Sequence, residues 1–168
     1  MTEHREILEI LAQVFVAFAG FAGVIAAFST IRLSPEATAF RLRALVVVAL
    51  FSLVVSLLPF LFGAFGASEI ATVRISAFVA ALGMSGFAVW AIRELLALYS
   101  ARLLDTQVYA VLLMGVGAIA ILALFAVAGG LLEEMASAVY LCGLFVNLVL
   151  CSYYFIMVIF AVEVKSTK

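Results

Sequence analysis

The sequence predicts an all-α protein, a polytopic membrane bundle of five transmembrane helices with its N-terminus out and its C-terminus in. Three observations predict it. Of 168 residues, 68% are hydrophobic and 11% charged, against roughly 45–50% and 25% in a typical soluble domain, so there is too little polar surface for a water-facing globule. Five apolar stretches reach the length of about 20 residues that a helix needs to cross a bilayer. They cover about residues 7–31, 44–66, 73–92, 108–129 and 136–162. None shows the polar-in, apolar-out alternation of a barrel strand, which leaves helices as the spanning structure.

The breaks between stretches carry helix-boundary chemistry. Ser34-Pro35-Glu36 reads as an N-cap, a proline at the first helical position and an acid in the first turn, so the second helix is expected to start ahead of its membrane span. Ser68-Glu69 and Asp105-Thr106-Gln107 are similar starts for spans 3 and 4, and Gly129-Gly130 ends span 4 before Glu133-Glu134. Connections this short make consecutive helices antiparallel neighbours in a single transmembrane domain over residues 1–168. The first apolar run has an acidic flank and no cleavage site followed by a polar region, and it reads as a retained span.

Basic residues set the orientation. Arg5 and Arg74 fall on one side; Arg32, Arg41, Arg43, Arg93, Arg102, Lys165 and Lys168 fall on the other, a division of 2 against 7. The positive-inside rule then puts the C-terminus in the cytoplasm. The net charge of −1 averages over this asymmetry. It implies contact with the lipid bilayer and its anionic head groups, not with nucleic acid.

Helix contacts inside a bilayer come from close-packed small residues and from polar side chains that find partners. At about 100° per residue, Ser52, Ser56, Pro59, Gly63 and Gly66 of span 2 share about 80° of arc, as do Tyr140, Gly143, Asn147, Cys151 and Tyr154 of span 5. Span 1 offers Gln13, Ala17, Gly20 and Ala27 with Gly23 at the edge, span 3 offers Ala77, Ala81, Ser85, Ala88 and Ala91, and span 4 has small residues almost all round. The span 2 stripe reads either as a packing seam, with serines bonded back to their own helix and Pro59 freeing the carbonyl of Val55, or as a loosened helix lining a pore. Asn147 must hydrogen-bond another helix or line a polar cavity shaped by Tyr140 and Tyr154. Near the outer boundary, Glu9 and Arg74 form a candidate interfacial ion pair, with Glu69 and Glu133 as other partners for the arginine.

Signatures of catalysis, metals and cofactors are missing, and neither an enzyme nor a cofactor is expected. His4, the lone histidine, lies in the N-terminal tail, so a multi-histidine metal site or a buried histidine base is excluded. Cys142 and Cys151 are nine residues apart on opposite faces of one helix and cannot bond to each other there. Gly83-Met84-Ser85-Gly86 matches the G-x-S-G of rhomboid proteases but lacks their histidine, so Gly83 and Gly86 read as close-packing positions. No span carries an acid near mid-membrane, which argues against a proton- or sodium-driven transporter.

Several segments carry a resemblance: Phe18-Ala19-Gly20-Phe21-Ala22-Gly23-Val24, then Ser34-Pro35 with Phe40-Arg41-Leu42-Arg43, Leu57-Leu58-Pro59, and Ser68-Glu69 with Val73-Arg74-Ile75-Ser76. Over its first half the chain resembles a loose family of small, uncharacterised bacterial integral membrane proteins with an F-x-G-F-A-G first helix, with Val73 where a tryptophan is expected. The resemblance implies a multi-pass protein of the inner (plasma) membrane and no activity. The function expected is self-association or docking with a membrane partner through small-residue seams at Gly20, Gly23, Pro59, Gly63, Ala81 and Ser85. An oligomeric channel lined by the span 2 or span 5 stripe is the alternative, and binding of a lipid or other apolar molecule is the third reading.

Overall fold

The computed structural model describes the backbone of residues 2–29, 36–100 and 108–163 and the side chains of 5–25, 39–97 and 114–159. Five helices account for nearly all of it: α1 (Thr2–Ser29), α2 (Glu36–Ala64), α3 (Glu69–Ser100), α4 (Val108–Ala128) and α5 (Ala136–Glu163), with a 3₁₀ turn at Glu133–Met135 ahead of α5. The Ser34-Pro35 and Asp105-Thr106-Gln107 starts lie outside the described residues, as do Arg32, Arg102, Lys165, Lys168 and the side chains of His4, Ala27 and Ala110.

Local chemistry fixes the helix ends. The Ser68 hydroxyl accepts the Ala71 N–H at 3.3 Å, and its carbonyl accepts the Thr72 N–H at 2.8 Å, so Ser68 caps α3 as its sequence predicts. At the ends of α2 and α4 the chain turns through glycines with φ of 77° (Gly66) and 81° (Gly130). The paired bonds Ala67 N–H to Phe62 O and Gly66 N–H to Gly63 O, repeated as Leu131 to Ala126 and Gly130 to Val127, are Schellman closures. Helix α3 runs past the expected end of span 3 at residue 92, because Arg93 and Glu94 interrupt the apolar run without interrupting backbone hydrogen bonding.

Four helical segments are long and apolar enough to cross a membrane: Arg5–Ile25, Ala39–Ala64, Glu69–Ala97 and Glu133–Ile159. Helix α4 adds a shorter apolar stretch at Met114–Ala128. This is compatible with a multi-pass membrane protein.

Each helix packs on its neighbours in sequence, and α5 closes back on α2, so α2, α3, α4 and α5 form a ring while α1 lies against α2 and the edge of α5. Phe15, Leu45, Val55, Leu124, Leu144 and Val158 are fully buried, and Ala44, Ala49, Ala77 and Ala81 let the helices approach. Outward-facing residues are equally apolar, with Ile119 70% and Leu122 69% exposed, as lipid contact requires and water contact does not tolerate over so wide a surface. An aromatic cluster joins α2, α3 and α5 where Phe40 meets Trp90 at 5.4 Å and Tyr154 at 6.3 Å between ring centroids.

Candidate functional site

The polar side chains inside the ring collect around Pro59. Proline has no N–H, so the carbonyl of Val55, one turn earlier, loses its intrahelical donor. The Tyr140 hydroxyl of α5 donates to that carbonyl at 2.6 Å. A defect in one helix thus becomes the acceptor for its neighbour. Beside it the Ser56 hydroxyl donates to the Ser52 carbonyl at 2.8 Å. The Ser76 hydroxyl of α3 lies near the Tyr140 phenol without a hydrogen bond of ordinary geometry. Ser52, Thr72 and Ser76 have buried hydroxyls with no partner among the described residues.

Along α5 the rest of the expected stripe also turns inward. Asn147 is 4% exposed and Cys151 fully buried, with Tyr154 against Phe40, while Gly143 brings α5 close to Leu124 of α4: a Cβ there would sit 3.1 Å from its Cδ1. The structure therefore brings together Ser52, Ser56, Pro59 and Tyr140 and continues their seam through Asn147 and Cys151. Thr72 and Ser76 extend it onto α3. Their signal was a hydroxyl pair spaced by one turn in an apolar helix.

The small-residue positions divide. Ala81 is in the core, and Ser85 donates to the Ala81 carbonyl of its own helix at 2.7 Å. Gly20, Gly23 and Gly63 are exposed, with nothing within 4 Å of a Cβ built on them, so they make no close contact inside the chain. Gly86 is likewise open, whereas Gly83 is a true contact: a Cβ there would enter the Phe51 ring of α2. Gln13 is exposed on α1, away from the polar seam.

At the end of the bundle where α3 and α5 begin, Arg74 pairs through Nη2 with Glu133. This corrects the expected pairing with Glu9, which is exposed on α1; α3 borders α4 and α5, and the turn between those two carries Glu133 over Arg74. Gly130 lies beneath the guanidinium, where a Cβ would strike Nη2. Replacing Gly130 by alanine should cost about 1–3 kcal/mol, the left-handed backbone penalty plus displacement of Arg74. Glu133→Gln should cost less than about 1 kcal/mol, since the pair is 37% and 50% exposed. Thermal melts of both variants in one detergent check this order.

The ion pair borders a cleft of about 170 Å³ between the starts of α3 and α5. Glu69, Arg74, Glu133 and Ser137 supply its polar wall, and Ile70 and Val73 its apolar one. Among the described residues no group of three or more histidine, cysteine or acidic side chains is placed to hold a metal ion. Comparison with protein-family profiles, curated proteins and solved structures gave no match.

Proposed function

We propose that the chain is a five-span protein of a bacterial inner membrane, N-terminus out, whose work is association through the outward face of α1, with a second copy or another membrane protein. The observation that carries this reading is the composition of that face. Gln13, Ala17 and Gly20 follow one another at helical spacing, Gly23 lies at their edge, and all are exposed. Gln13 lies eight residues past Arg5, where the first apolar segment starts, or about 12 Å along the helix. Its amide has no hydrogen bond among the described residues. An amide facing hydrocarbon is costly, and the open backbone at Gly20 and Gly23 lets a second helix come close enough to hydrogen-bond it.

The seam on α2 and α5 supports a pore between subunits less well. Ser52, Ser56 and Asn147 are buried within a single chain and would not face a passage formed between copies.

Native mass spectrometry in mild detergent should find the chain in an assembly. Gly20→Leu and Gln13→Leu should each weaken that assembly about tenfold or more, the equivalent of about 1.4 kcal/mol, while leaving the melting temperature of the single chain nearly unchanged, because Gln13 is exposed and nothing lies within 4 Å of a Cβ at Gly20. A monomer indifferent to both substitutions would sink the reading.

A further inference from the structure

We infer that the outer cleft binds a zwitterionic head group carrying a phosphate and a primary ammonium, that of an aminophospholipid. The inference rests on the chain spanning a membrane, and is independent of how or whether it associates.

Position comes first. Glu69 and Glu133 are the first residues of two of the membrane-length segments, so the cleft between them opens at the boundary where head groups lie. Its flank is strongly apolar, with Ile70 58%, Met135 60% and Leu131 80% exposed. These side chains suit the glycerol and upper acyl region of a lipid more than water.

Charge then selects the ligand. The cleft holds two carboxylates, Glu69 and Glu133, against the single guanidinium of Arg74. Glu133 engages only Nη2 of the arginine, and a guanidinium offers five N–H donors in a planar fork suited to phosphate. Arg74 keeps 37% of its side chain exposed and its Nε is buried with no hydrogen-bond partner among the described residues, so the pairing with Glu133 leaves donors of the fork unsatisfied. An anion alone would meet two carboxylates. A lone cation would compete with Arg74 for Glu133. A molecule with phosphate on Arg74 and ammonium on Glu69 satisfies both signs and leaves the existing pair intact. At about 170 Å³ the cleft has room for about six waters' volume, enough for such a head group with its tail outside.

The test uses the full chain in nanodiscs of equimolar phosphatidylcholine and phosphatidylethanolamine, with phosphatidylglycerol replacing the latter in a parallel set. Native mass spectrometry after release should find phosphatidylethanolamine retained over phosphatidylcholine by about fivefold, a preference of about 1 kcal/mol, and phosphatidylglycerol not enriched. Glu69→Gln should bring that preference to parity with only the small fall in melting temperature due to an exposed first-turn acid, since Glu69 is outside the ion pair. Arg74→Lys should reduce it while keeping the charge. Free phosphoethanolamine distinguishes the source: displacement shows that the head group alone is read, and no displacement shows that the acyl region is required. Equal retention of all three lipids, or a preference untouched by Glu69→Gln, overturns the inference.

Discussion

Replacing Tyr140 by phenylalanine is expected to destabilise the bundle by about 1–2 kcal/mol, the upper part of the range for an interhelical hydrogen bond in a membrane. The phenol's hydrogen bond to the Val55 carbonyl is the substitute for the backbone donor that Pro59 lacks, so its loss leaves a buried acceptor with nothing to accept from. A second substitution isolates this cause. In a Pro59→Ala background the N–H of residue 59 returns to the Val55 carbonyl, and Tyr140→Phe should then cost less than half as much. Unfolding of the four proteins in one detergent and denaturant series gives the coupling directly. Equal losses in the two backgrounds would mean that the hydroxyl's contribution does not depend on the carbonyl that Pro59 frees.

Gly83→Ala should cost about 1–3 kcal/mol, the usual penalty for overpacking a contact between elements. The added methyl would enter the Phe51 ring, and α2 and α3 must separate or the ring must rotate out. In a Phe51→Ala background, which carries its own loss of ring packing, Gly83→Ala should cost much less, because the atoms that clash are gone. The neighbouring Gly86→Ala is the control: nothing lies within 4 Å of its added carbon, and its stability should stay within about 0.5 kcal/mol of the parent protein. A melt in which Gly83→Ala and Gly86→Ala behave alike would remove the α2–α3 contact from the account.

The positions that sequence and structure treat alike are those governed by the nearest few residues. Ser68 caps α3, a glycine with positive φ closes α4, and Pro59 frees the carbonyl of Val55; each follows from backbone chemistry within about one helical turn, whereas Gly66, expected in the span 2 stripe, lies past the end of α2 with positive φ. The choice of partner for each exposed group was not legible in this way. Three acids were candidates for Arg74, and Glu133 has it because the turn before α5 passes over α3. The Val55 carbonyl could have been met by any donor in the bundle, and Tyr140 meets it because α5 returns to α2.

Facing is the other thing the sequence left open. In a soluble helix the contrast between polar and apolar sides shows which face is buried. Here Leu, Val and Phe line both the core and the outer surface, so the contrast is nearly absent, and Gly20 and Gly83 look equally fit for a helix contact. Packing separates them: Gly83 receives the Phe51 ring, whereas Gly20 faces away from the bundle.

The sequence by itself determined that this is a chain of long apolar helices, and where most of them end, because hydropathy, caps and breakers act within a few residues. Tertiary structure alone decided that the span 5 stripe is internal, that the α1 glycines are not, and that Arg74 and Glu133 meet at a cleft. Those outcomes depend on which helices lie side by side, and among helices that are apolar all round only the packed bundle specifies that.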